Sequence, residues 1–178
     1  MYNPAPLEPP SPGLETTVSI SDDFKNTLAS WPSGVTVVTA QVEGLVYGLT
    51  VSSFSSLSMD PPLILVCLNN ANRLPSMIVE AGQFGVSILD RSQETASNHF
   101  ARAGRTPSDD FASQGGAWLS PDLPVVADAL GHIACRHHES VLQGDHTIII
   151  GEVQQASANE DGQPLVYYRR AYRSVATS

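Results

Sequence analysis

The 178-residue chain is 42% hydrophobic and 15% charged, a composition that folds and can bury the core of one domain. Its formal net charge is −9 and Lys25 is its only lysine, which argues against nucleic acid or an anionic membrane as a partner. No run of about 20 apolar residues is present to span a membrane. The opening Met1-Tyr2-Asn3-Pro4-Ala5-Pro6 lacks the basic and apolar segments of a secretory signal, so the chain reads as cytoplasmic.

Residues 1–20 hold Pro4, Pro6, Pro9, Pro10 and Pro12 with little apolar pattern, and are expected to form a disordered tail ahead of a domain spanning 21–178. Ser21 can cap a helix whose first turn carries Asp22 and Asp23 and whose Phe24 and Leu28 share a face; Pro32 should end it at Trp31. Gly34–Val42 is β-branched and reads as a buried strand, with Glu43-Gly44 as the turn into an antiparallel partner.

Along that partner, side chains alternate between two faces. Leu45, Tyr47, Leu49 and Val51 fall on the side that can enter a core. Val46, Gly48, Thr50 and Ser52 make the other side flat, small and hydroxyl-rich, a surface suited to a planar ligand with polar edges. Ser53, Ser55, Ser56 and Ser58 continue as a serine-rich loop until Asp60-Pro61-Pro62.

Leu63–Leu68 is an unbroken apolar run of strand length. The polar loop Asn69–Arg73 leads into a helix over Pro75–Ala81, with proline in its first turn and Gly82 past its end. Phe84–Leu89 is a further strand, and Ser92 with Glu94 opens a helix to about Ala101. Residues 102–124 are rich in Gly and Pro and read mostly as loop. His132–Leu142 and His146–Ala156 form a long hairpin around Gln143-Gly144-Asp145, and Leu165–Tyr168 is a last short strand. Strands and helices do not alternate regularly, so the fold class is mainly β with inserted helices, an antiparallel barrel.

Several chemistries find no motif. The chain has no Gly-x-Gly-x-x-Gly after a strand, no lysine placed for a P-loop and no Gly-x-Ser-x-Gly elbow. His137 and His138 are neighbours on a strand and point to opposite faces, which disfavours a shared metal. Cys67 and Cys135 lie in apolar runs and read as reduced core residues. Two positions invite a ligand. Arg73 beside a helix start suits a phosphate, and His146 at a barrel mouth can hydrogen-bond a bound molecule, although each also fits an ordinary solvated side chain.

The segments Phe24–Gly34 (FKNTLASWPSG), GVTVVTA, GLTVSSFSSLSMDPP, FGVSIL, Gly144-Asp145-His146 with IIIGEV, and PLVYYRRAYR occur in an order and spacing that resembles the short-chain flavin reductase family. The resemblance covers about residues 22–175 and implies a split β-barrel homodimer binding FMN or FAD near the subunit interface. It implies reduction of the flavin by NADH or NADPH and release of reduced flavin to a flavin-dependent monooxygenase component. By position it implies flavin contacts at Thr50, Val51, Ser52 and Ser53, with Ser56 and Leu57 close by; at Leu68, Asn69 and Asn70; at Arg73 for the phosphate; and at Phe100. His146 would meet the nicotinamide as the catalytic residue, and Tyr172 would close the pocket. Where family members carry Ser-Arg-Thr or Ser-x-Thr, this chain has Asn72-Arg73-Leu74 and lacks the second hydroxyl. The resemblance also leaves room for an oxidoreductase that keeps FMN tightly and for a flavin-binding module without turnover.

Overall fold

The computed structural model describes residues 20–108 and 110–175; the Pro-rich segment expected to be a tail lies almost wholly outside the described residues. Chain order is α1 (Ile20–Ala29), β1 (Ser33–Gly34), β2 (Thr36–Val42), β3 (Leu45–Val51), β4 (Phe54–Met59), β5 (Pro62–Asn69), α2 (Leu74–Ala81), β6 (Gln83–Ile88) and α3 (Glu94–Ala101). There follow β7 (Gly116–Ser120), β8 (Leu123–Val126), β9 (Gly131–Gln143), β10 (His146–Ala158), β11 (Val166–Tyr168) and β12 (Ala171–Arg173). The mainly β class with inserted helices therefore holds.

Seven strands form one antiparallel sheet in the order β3-β2-β6-β9-β10-β5-β4. Alternation puts Ile64, Val66 and Leu68 of β5 into the same apolar cluster as Val38 of β2, Tyr47 and Val51 of β3, Phe84 and Val86 of β6, Cys135 of β9 and Ile149 of β10. The sheet thus curls around a shared core, with Leu74, Met77 and Ile78 of α2 packed into it. Gly151 marks how tightly it is filled: a Cβ there would come within 2.4 Å of the fully buried Phe84 ring. The two edge strands, β3 and β4, are consecutive in sequence, so the chain crosses the open seam of the sheet through Ser52-Ser53.

Three elements differ from the sequence expectation. The serine-rich stretch after Ser53 is the edge strand β4, paired with β5, because a ladder partner outweighs the weak β propensity of serine. Within 102–124, β7 begins a hairpin with β8 through a two-residue turn at Pro121-Asp122. Its Leu123, Val125 and Val126 are buried. Residues 165–173 form a second hairpin, β11–β12, whose loop is Arg169-Arg170 with both residues at positive φ, 49° and 60°. That loop tethers α1: the Arg169 N–H donates to the Ala29 carbonyl at 2.9 Å and Arg170 Nη2 donates to Asn26 Oδ1 at 2.9 Å. Phe24 and Leu28 share a face of α1 as the pattern indicates, but that face is exposed.

The 3-10 turn Arg91–Gln93 that leads into α3 is capped by Asp90. Its carboxylate accepts from the Ser92 N–H at 2.9 Å, the Ser92 hydroxyl at 2.7 Å and the Gln163 N–H at 2.8 Å, while Gln93 Oε1 accepts from the Asp90 N–H at 3.0 Å. The Ser92 backbone and hydroxyl donors, followed by the Gln163 N–H, hold its pKa at about 2, down from an ordinary 3.8. A carboxylate lowered in the folded state stabilises fully above its unfolded value and loses that contribution as pH falls through the folded one. Urea titrations should therefore show wild-type protein losing stability relative to Asp90→Asn between pH 3.8 and about 2. Parallel curves across that window would contradict the anchor.

Candidate active site

The site forms where the sheet seam meets the hairpin tip of β9 and β10. Gly144, at φ 59°, opens the two-residue loop of that hairpin, and His146 begins β10 opposite Asn69, the last residue of β5. The tip is clamped to the loop after β5. The Asn70 N–H donates to the Asp145 carbonyl at 2.9 Å, and the Thr147 hydroxyl donates to Asn70 Oδ1 at 2.6 Å. The loop is itself closed by Asn69, whose Oδ1 accepts from the Ala71 N–H at 2.8 Å in an Asx turn.

α3 covers the other side. It packs over the face of β3 that alternation assigns to Val46, Gly48 and Thr50, so this face is not the open, flat surface that the sequence suggests. A Cβ at Gly48 would lie 2.9 Å from Thr39 Cγ2 on β2 and 3.2 Å from the Phe100 ring of α3, which leaves room for glycine there. The Thr50 hydroxyl donates to the Ser97 carbonyl at 2.7 Å, and the Ser53 hydroxyl donates to the Cys67 carbonyl at 2.8 Å. Ser52 is the member of the series that stays exposed with a hydroxyl uncommitted among the described residues.

A cleft of about 400 Å³ lies between these parts, within the usual range for small-molecule sites. Thr50, Val51, Ser52, Ser53, Leu68, Asn69, Phe100 and His146 all line it, so eight of the positions named from the sequence converge. Phe100 and Leu68 are 0% and 2% exposed and act as its floor. Ser56, Leu57, Asn70, Arg73 and Tyr172 are not among its lining residues. Ser56 and Leu57 sit on β4, and Asn70 is engaged by Thr147 as above. Arg73 is exposed at the cap of α2, and Leu74, where a hydroxyl is missing, is fully buried in the core. The Tyr172 hydroxyl is 2.7 Å from that of Ser97 and 3.3 Å from Asn98 Oδ1, so Tyr172 braces α3 from behind.

Sequence reasoning missed the wall built by α3 and the turn after it, Ala101, Arg102 and Ala103, together with Leu49, while Asn72, one of the polar groups of the loop before Arg73, also lines the cleft. A larger cleft of about 740 Å³ shares Ser52, Ser53 and Cys67 with the first but opens between α1 and β4–β5, lined by Leu28, Trp31 and Phe54. It is the greater volume, yet the convergent histidine, asparagines and loop clamps belong to the smaller one.

His146 is the best-positioned ionisable group. Its Nδ1 is 2.7 Å from Asp145 Oδ1, and the hydrogen bond to His146, ahead of its charge, lowers the Asp145 pKa. An ionised carboxylate accepts only, so Nδ1 carries the proton and donates it. Nε2 is then the ring atom left for a ligand, on a side chain 45% exposed.

Comparison with known proteins decides the family. Residues 28–176 match the model of the flavin reductase like domain. The chain belongs to that family. It is 38% identical over 156 residues to the reductase component of 4-hydroxyphenylacetate 3-monooxygenase from Thermus thermophilus, covering 88% of this chain and 97% of that one. It is likewise 38% identical over 156 residues to an NADH-dependent flavin reductase from Rhodococcus, covering 85% of each. Among solved structures it superposes on BorF, the flavin reductase component of a bacterial two-component tryptophan halogenase, with a TM-score of 0.82 at 30% identity, over 89% of this chain and 99% of that one. The split-barrel flavin reductase architecture is thus the architecture of this chain.

The cleft also separates the two thiols. Cys135 is buried and its pKa is pushed up to about 12 by desolvation, whereas Cys67 is half-buried on the cleft lip and not in the core. Iodoacetamide at neutral pH should label Cys67 in the folded protein and reach Cys135 only after denaturation, as read by peptide mass mapping. Equal labelling of both in the native state would contradict this arrangement.

Proposed function

We propose that the chain is an NADH-dependent flavin reductase that hands reduced FMN or FAD to a partner flavin-dependent monooxygenase component. The observation that carries this reading is the convergence of His146, Asn69 and the Ser52-Ser53 crossing on one cleft in a chain of this family. The names of the relatives support it, since they include reductase components and NADH-dependent flavin reductases.

The residues present fit a flavin. Ala101, Ala103 and Ser52 give the cleft small walls that admit a flat ring, while Asn69, Asn72 and the Ser52 hydroxyl offer hydrogen bonds to its polar edge. A bound flavin supplies the redox chemistry by accepting hydride from the nicotinamide, which leaves binding and orientation to the protein. Asp145 fixes the His146 ring in one tautomer through Nδ1, and Nε2 presents a directional contact at the open side of the cleft, the place for the nicotinamide. The clamp of Asn70 by Thr147 ties the start of the strand that carries His146 to the loop after Asn69.

A homodimer is part of the proposal. Phe24, Leu28 and Trp31 are 61%, 55% and 75% exposed on and just after α1, an apolar row with no cover within the described chain. The row borders the larger cleft, which shares Ser52 and Ser53 with the flavin cleft, so a second subunit there would lie beside the ligand.

Purified protein should oxidise NADH when given FMN or FAD, and absence of turnover with FMN, FAD and riboflavin alike would overturn the reading. His146→Ala should lower kcat/KM for NADH by about tenfold or more, with flavin affinity little changed. Asp145→Asn should give a smaller loss, because the ring stays but its tautomer is no longer fixed. An unaltered kcat/KM in His146→Ala would remove His146 from the site. Sedimentation should report a dimer, and a monomeric wild-type protein would refute the α1 interface.

A further inference from the structure

Two arginines follow α3 three residues apart, and the structure uses them in opposite ways. Arg105 is committed to the fold. Its Nη1 donates to the Gly48 carbonyl at 2.7 Å and to the Phe100 carbonyl at 3.4 Å, and its guanidinium lies 4.8 Å from the Phe100 ring centroid and 5.4 Å from that of Tyr47. It thereby satisfies a carbonyl at the C-terminal end of α3 and locks that end to β3. The remaining capping bond runs from the Arg102 backbone N–H to the His99 carbonyl. Arg102 is therefore not needed as a side-chain cap. Its guanidinium is exposed, makes no hydrogen bond or ion pair among the described residues, and sits on the wall of the flavin cleft.

Among the described residues that line the cleft, Arg102 is the one lysine or arginine, and none is an aspartate or glutamate. In a chain of net charge −9 with nine lysines and arginines in total, a cation left unpaired inside a ligand-sized cleft is matched to an anion. Arg73, the anchor implied by family resemblance, stands outside the lining. Asn72 lies on the same lining, and the amide hydrogen it does not give to the Asn69 carbonyl at 3.4 Å is a donor for a second oxygen.

We propose that Arg102, and not Arg73, is the phosphoryl anchor of this cleft, pairing its planar guanidinium with a phosphate of the bound ligand. The assignment rests on the flavin reading of the site. The phosphoryl group belongs either to the flavin mononucleotide or to the pyrophosphate of an NADH laid against it, and both present the same oxygens to a guanidinium.

Flavin fluorescence titrations on the full chain, without nicotinamide, separate the cases, with FMN and riboflavin as the probes. Arg102→Ala should weaken FMN by about tenfold or more, the size of one lost charged hydrogen bond, and riboflavin by no more than about twofold. Arg102→Lys should recover part of the FMN affinity, because it restores charge without the fork. If the phosphoryl group is that of NADH, Arg102→Ala leaves both flavins alone and raises KM for NADH about tenfold at constant kcat. Thermal melts should place Arg102→Ala with wild type and Arg105→Ala well below it. Equal losses for FMN and riboflavin, no change in either flavin affinity or in KM, or a selective FMN loss in Arg73→Ala with Arg102→Ala silent would each overturn the proposal. Wild-type protein that binds neither flavin would overturn the flavin reading itself, and this assignment with it.

Discussion

The arrangement of this molecule depends on how the open seam of its sheet is held. An edge strand leaves a row of unpaired N–H and C=O groups, and the large sheet has two such edges, β3 and β4, joined directly by Ser52-Ser53. Hydroxyl-to-carbonyl hydrogen bonds pin the crossing. The buried Thr36 donates to the Val51 carbonyl at 2.7 Å, Thr50 to the Ser97 carbonyl, and Ser53 to the Cys67 carbonyl. These bonds tie the crossing to β2, to α3 and to β5 in turn, and no buried side-chain polar atom among the described residues lacks a partner. The ligand cleft is what remains beside a seam closed in this way.

The same bonds explain why α3 matters to the site without supplying a reacting group. Its Ser97 is fully buried, accepts from Thr50 through its carbonyl, and meets Tyr172 of β12 through its hydroxyl. Asp90 caps the 3-10 turn Arg91–Gln93 that leads into it, and Arg105 holds its last turn. Three separate parts of the chain thus set one short helix, and the last residue of that helix with the turn after it makes the cleft wall. On this geometry the binding surface is as rigid as the β3–α3–β12 stack beneath it.

Much of this was legible in the sequence, and the gaps have physical causes. β-branched runs, the Glu43-Gly44 turn and the Gly144-Asp145 tip locate β2, β3, β5, β9 and β10, because period and turn chemistry are local properties. β4 is hidden because its six residues include three serines and it is a strand only by virtue of its partner β5. The β7–β8 hairpin is hidden by flanking glycines and prolines that read as loop. Alternation correctly sends Tyr47 and Val51 to the core. It cannot tell that the opposite face of β3 is covered by a helix about 45 residues away in sequence, as the 47-residue separation of Thr50 from Ser97 shows. Arg102 escaped for the same reason, since its value lies in what Arg105 has already done.

Ionisation separates the scaffold from the chemistry. Asp90, Arg105 and Cys135 all depart from ordinary values, and each does so for a structural cause: three donors around Asp90, and burial around Arg105 and Cys135. Perturbed groups often mark catalytic sites, but here they mark the joints of the fold. At the cleft the corresponding shift is that of Asp145, lowered by the hydrogen bond to His146, and its effect is to fix which ring nitrogen carries a proton. On the function proposed here, a site that aligns two planar cofactors needs an oriented contact more than a tuned acid, and that is the role proposed for the histidine held by its neighbouring carboxylate at the tip of a clamped hairpin.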